Sequence, residues 1–93
     1  MKKQTFTSVW DAIEDTAEAA ANMRARAELM VEVERYVRGA KLSQTEAAKK
    51  LGITQPRLND LLRGKIDKFS LDGLVNMLGR VGREVTVRVK KAA

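Results

Sequence analysis

The 93-residue sequence predicts a mainly α-helical fold of four to five helices followed by one C-terminal β-strand. Three observations predict it. Ser43 followed by Glu46 is a reciprocal helix-start pattern in the middle of the chain. Apolar residues recur at three- and four-residue intervals in segments between Ala20 and Leu78. The period then changes to two, with Val85, Val87 and Val89 alternating with Thr86, Arg88 and Lys90.

The central stretch, Leu42 to Lys65, reads as two short helices joined by a tight turn. The Ser43–Glu46 box starts the first helix at about Gln44, and Ala47, Ala48 and Leu51 form one buried face. Gly52 follows, where a left-handed residue is needed. Ile53 is an apolar plug in the turn. Thr54 can cap a second helix whose first turn holds Gln55 and Pro56, a place where proline's missing N–H has no helical partner to lose. Leu58, Leu61 and Leu62 supply its buried stripe, while Gln55, Arg57, Asn59, Asp60 and Arg63 lie off it. Gly64 ends this helix, and Lys65 adds a cation beyond it.

Gln44, Ala48, Gly52, Leu58 and Leu61 stand at the spacing of the helix-turn-helix of phage-repressor and Cro-like regulators, and the chain resembles that XRE family. The small Ala48 permits close helix approach, and Gly52 supplies a backbone angle that costs other residues free energy. An αα-hairpin without a nucleic-acid role is the plainer reading of the same pair. The resemblance extends to Val9-Trp10-Asp11, the Gln55-Pro56 pair, Arg63-Gly64-Lys65 with Phe69-Ser70-Leu71, and Leu78-Gly79 with Arg83-Glu84-Val85. These look like a branch similar to HigA-type antitoxins. What the resemblance implies is a lambda-repressor-like helix-turn-helix bundle, a DNA-binding autoregulator and a RelE-like toxin as partner.

Composition bounds the chemistry. There is no cysteine and no histidine, so disulfides, thiol catalysis, the usual zinc ligands and the commonest general base are all absent. No pair of carboxylates, lysines or hydroxyls is marked out by spacing. The expectation is a protein that is not an enzyme and takes no metal and no cofactor. The apolar runs are too short to span a bilayer, and MKKQTFTSVW lacks the apolar core of a leader, so a cytoplasmic protein with no membrane role is expected.

The net charge of +6 is unevenly spread. Residues 1–37 hold five Lys/Arg against seven Asp/Glu, a net of −2, whereas residues 38–93 hold thirteen against five, a net of +8. A basic surface can be merely solvated. Here it coincides with the two-helix motif, as attraction to phosphates requires.

Taken in order, residues 1–8 read as a flexible N-terminal segment, 9–39 as a turn and a long helix, and 40–93 as the DNA-binding region with its strand, together forming one domain. Ser8 can cap a turn carrying Val9, Trp10 and Ile13; Trp10 packs on a helix or meets a partner. Asp15 with Glu18 opens a helix that can run to Arg38, with Ala20, Met23, Ala27, Met30, Val33 and Val37 as its buried stripe and Leu29 and Tyr36 widening it. Gly39 stops it. Its alanine-rich first half buries little and is either a partner interface or a solvated extension. Beyond the motif, Ile66 and Phe69 pack beneath a basic loop. Ser70 and Asp72 then open a helix with Leu71, Leu74, Val75 and Leu78 as its apolar face, and Gly79 and Gly82 end it.

The strand of Val85, Val87 and Val89 needs a partner for its backbone groups. Three are available: the same strand of a second subunit, the segment 4–7, or an edge strand of a toxin. Pairing across the two-fold axis of a homodimer is favoured, since helix-turn-helix proteins generally read two half-sites. Two copies would place their second motif helices in successive major grooves of a palindromic double-stranded DNA operator. The resemblance assigns Gln44 to a phosphate and Gln55 to the first base-reading position, where its amide suits adenine N6/N7. Ser43 and Thr54, at helix starts, can help hold phosphates. Arg57 can reach guanine or a phosphate, and Asn59 is a second base reader. Lys49, Arg63, Lys65 and Lys68 are candidate phosphate contacts. Pro56 departs from the family pattern, removing one reader, and Asp60 would repel phosphate unless paired with Arg57 or Arg63. The competing functions are a toxin-masking interaction module and, less well matched to only four aromatic residues, a single-stranded RNA binder.

Overall fold

The computed structural model describes residues 16–91. Four helices form around one core: α1 (Ala17–Ala40), α2 (Gln44–Leu51), α3 (Gln55–Leu62) and α4 (Leu71–Arg80), with a short 3-10 turn at Ile66–Lys68 between the last two. The expected N-terminal turn with Trp10, the loose segment 1–8 and the cap residue Asp15 lie outside the described residues.

α1 starts one residue later than expected, because Thr16 caps it by accepting the Ala19 N–H at 3.1 Å. It also ends later. Gly39 is helical, and the left-handed residue is Lys41, with φ 57°. Turning there brings Leu42 against the core. The buried stripe is Met30, Val33 and Val37; Ala20 and Met23 are only half-buried, and Ala27 is exposed. Arg26 rather than Ala27 continues the three-four spacing between Met23 and Met30. The outer side of the helix carries the ion pairs Glu32–Arg35 (2.7 Å) and Glu34–Arg38 (2.6 Å), exposed pairs of modest worth.

The core is shared by every helix. Met30, Val33 and Val37 meet Ala47, Ala48 and Leu51 of α2, Leu58 and Leu61 of α3, Phe69, and Leu74, Met77 and Leu78 of α4. Met77 takes part where the sequence suggested Val75, which is exposed. α1 packs chiefly along α4, and α2 chiefly against α3. α2 and α3 are eight residues each, too short to persist alone, so this shared core is what keeps them helical.

Three helices end on a glycine with φ 79°: Gly52, Gly64 and Gly82. At Gly52 the paired bonds Gly52 N–H to Lys49 O (3.1 Å) and Ile53 N–H to Ala48 O (3.0 Å) close α2 and drop Ile53 onto the core. A Cβ at Gly52 would also run into the side chain of Arg80, which lies across it from the end of α4. Gly79, by contrast, is inside α4, and the chain leaves that helix at Gly82.

The C-terminal strand is the main correction. Residues 83–91 form no strand, and there is none among the described residues. Val85 packs against the core, but Val87 and Val89 are 83% and 89% exposed. The reason is the pairing requirement itself: the alternation supplies a face, yet nothing among the described residues supplies the ladder, and the candidate segment 4–7 lies outside them. Arg83, at the root of the tail, sits 5.6 Å from the centre of the Tyr36 ring and ties the tail to α1.

Leu58, fully buried on α3, should cost about 2–5 kcal/mol when cut to alanine. Gly52→Ala should cost about 1–2 kcal/mol through its left-handed backbone. Urea denaturation followed by circular dichroism measures both.

Candidate nucleic-acid interface

Sequence dictates the frame of this site. The Ser43 hydroxyl accepts the Glu46 N–H at 3.1 Å while the Glu46 carboxylate accepts the Ser43 N–H at 3.3 Å, so both members of the capping box are engaged. Ala47 and Ala48 are buried where α2 and α3 meet, and their small side chains set how closely the two axes approach. Thr54 caps α3 by accepting the Arg57 N–H at 3.3 Å, and Pro56 sits in the first turn. With Leu58 and Leu61 turned inward, Gln55, Asn59 and Arg63 fall at four-residue intervals on the outer side, and all three are exposed. Gln44, first in α2, is exposed too.

Gln55 is not free to swing. Thr45 Oγ1 donates to Gln55 Oε1 at 3.0 Å, which leaves the amide nitrogen as the outward donor. Thr45 was not among the residues that sequence reasoning singled out. Its bond crosses ten residues and exists only because α2 and α3 cross as they do.

The cations divide into two groups. Lys49 is exposed on α2 and, with Leu42, Glu46 and Lys50, lines a shallow groove. Lys65 and Lys68 flank the 3-10 turn, and both ammonium groups approach Asp60, at 3.6 Å and 3.5 Å. Asp60 therefore pairs with the lysines beyond its helix, not with Arg57 or Arg63 as the sequence suggested. This carboxylate gathers two positive charges into one place, with Asp67 standing between them in the turn.

Arg57, the expected base or phosphate reader, already has partners within the chain. Its Nη2 donates to the Lys68 carbonyl at 2.8 Å, and its guanidinium lies 4.9 Å from the centre of the buried Phe69 ring. From α1, Arg26 Nη1 donates to the carbonyls of Ile66 (3.2 Å) and Phe69 (3.3 Å). Arg26 too escaped the sequence reading. The available signal was an arginine standing where the stripe of α1 calls for an apolar side chain.

The arrangement offers an outward row of amide and guanidinium groups, two helix starts with exposed caps, and a lysine pair on an ordered turn. Among the described residues no group of acidic, histidine or cysteine side chains could hold a metal ion, and no helix is long and apolar enough to cross a membrane.

The Thr54 cap gives a direct check on the frame. Thr54→Ala should lower stability by about 0.5–2 kcal/mol, seen as a lower urea midpoint at unchanged slope.

No curated protein matches the chain. A family model described as a helix-turn-helix domain matches residues 12–90, a span that takes in all four helices and nearly all of the tail. By that match, and with the capped α2–turn–α3 unit at its centre, the chain belongs to the helix-turn-helix domain family.

Proposed function

We propose that this chain is a sequence-specific regulator that binds double-stranded DNA in the cytoplasm and represses its own operon, with α3 entering the major groove. The observation that carries the reading is the outer row of α3, in which Gln55, Asn59 and Arg63 are exposed on one side of a helix whose other side is buried. Gln55 and Asn59 are the base readers, with the Gln55 amide steadied by Thr45. Ser43, Gln44 and Thr54 at the two helix starts, with Lys49, Arg63, Lys65 and Lys68, hold phosphates. Phe69 is buried and Tyr36 is half-buried under Arg83, which speaks against the aromatic stacking that single-stranded RNA binding uses.

The finer reading follows the resemblance to HigA-type antitoxins: a homodimer on a palindromic operator, paired with a RelE-like toxin. Two features support it. Val87 and Val89 lie bare beside Val85 and suit a second copy, and the first half of α1 exposes Glu18, Asn22, Arg24 and Glu28, a face that a protein partner could cover.

Protection mapping on the DNA upstream of the gene tests the main claim. Two protected half-sites about 34 Å apart are expected, and a uniform or absent footprint would remove it. Gln55→Ala should cost about 1–3 kcal/mol on that operator and relax the preference at one base pair, whereas Lys49→Ala should weaken all duplexes alike. For the finer reading, the product of the neighbouring gene should co-purify with this chain and be toxic when expressed alone.

A further inference from the structure

The turn from Lys65 to Phe69 is held from two sides by arginines that come from different helices. Arg26 reaches from α1 to the carbonyls of Ile66 and Phe69, forty and forty-three residues away, and Arg57 reaches back from α3 to the carbonyl of Lys68. Three carbonyls within four residues are thus taken by two guanidinium groups. Arg57 also lies over Phe69, so it fixes that turn by its planar face as well as by its donor. Inside the turn, the Lys68 N–H bonds the Lys65 carbonyl (3.1 Å) and the Phe69 N–H bonds the Ile66 carbonyl (3.2 Å). Above it, Asp60 holds the two lysine head groups together.

Arg26 is an unexpected residue for stability alone. It occupies the inward side of α1 between Met23 and Met30, and its Nε is buried with no hydrogen-bond partner. A methionine there would pack without leaving a donor unsatisfied. What the arginine does, and an apolar residue cannot, is hold the turn.

We infer that Arg26 and Arg57 are positioning residues that fix the Lys65–Phe69 turn so that Lys65 and Lys68 meet the DNA backbone as a preformed pair. This rests on the DNA-binding reading above and assigns Arg57 a role behind the interface. Lysine side chains on a loose turn would lose freedom at the moment of binding; on a fixed turn that loss is already met by folding. It also makes the grip on the phosphates depend on α1, the element most remote from it in sequence.

The test uses the full chain and five variants, Arg26→Met, Arg26→Lys, Arg57→Lys, the double variant Lys65→Ala/Lys68→Ala and that double variant with Arg26→Met added, with amide hydrogen exchange and titration of a fluorescent operator duplex and a scrambled duplex. Arg26→Met should speed exchange at Lys68 and Phe69 while sparing the amides of α2 and α3. It should weaken both duplexes by the same factor and flatten the salt dependence, by about 0.9 in slope for each phosphate that is no longer neutralised. Added to the double-lysine variant, it should do nothing further. Arg26→Lys should recover part of the loss, since an ammonium can still donate to a carbonyl, and Arg57→Lys should recover little because it cannot stack as a plane. Unchanged exchange in the turn overturns the inference, as does faster exchange throughout α2 and α3, or an equal loss of affinity in the double-lysine background. If the turn loosens as described but the unaltered chain binds neither duplex, the DNA reading falls and overturns the role toward phosphates with it, leaving only the arginines' hold on the turn.

Discussion

The close crossing of α2 and α3 is the constraint on which the other features depend. Each helix is only eight residues long, and neither has enough internal hydrogen bonding to offset the entropy of forming it. They hold because Ala47 and Ala48 let the axes come together and because Leu51, Leu58 and Leu61 are inserted into a core built by α1 and α4. The outward row on α3 has a fixed direction for the same reason. Its inner side has no alternative to the pocket made by Val33, Leu74 and their neighbours, so the polar side cannot rotate away.

Much of this was legible in the chain. Both caps of the central unit, the box at Ser43 and Glu46, the left-handed Gly52, the plug at Ile53 and the apolar anchors of α3 are where the residue pattern puts them. These features are local: each depends on residues within one turn of helix, which is the range over which spacing carries information. The same reasoning misplaced the end of α1. Glycine is neither a sufficient nor a necessary stop: Gly39 stays helical, and Lys41 adopts the left-handed angle, by which Leu42 gains a place in the core.

What was not legible is non-local. The partner of Asp60 was sought along its own helix, where Arg57 and Arg63 are neighbours, and found beyond the helix end, where the chain doubles back at Gly64 and carries Lys65 and Lys68 over it. Arg57 looks unattached when α3 is drawn alone; only the path of the following turn shows that its Nη2 is engaged by the Lys68 carbonyl and that it lies over Phe69. The valine alternation near the C-terminus has a strand's period, but it says nothing of whether a neighbour exists to complete the backbone bonds, and no strand forms there. In each case the missing information was which residues the folded chain brings alongside.

The packing of Arg80 over Gly52 carries an implication for how such sequences can diverge. The last turn of α4 lays a long cationic side chain directly over the bend between the two motif helices, in the space that any larger residue at that bend would fill. A side chain at the bend would only have to turn the exposed end of Arg80 aside, which a flexible arginine does at little cost, so the left-handed angle and not the crowding is what holds a glycine at that bend.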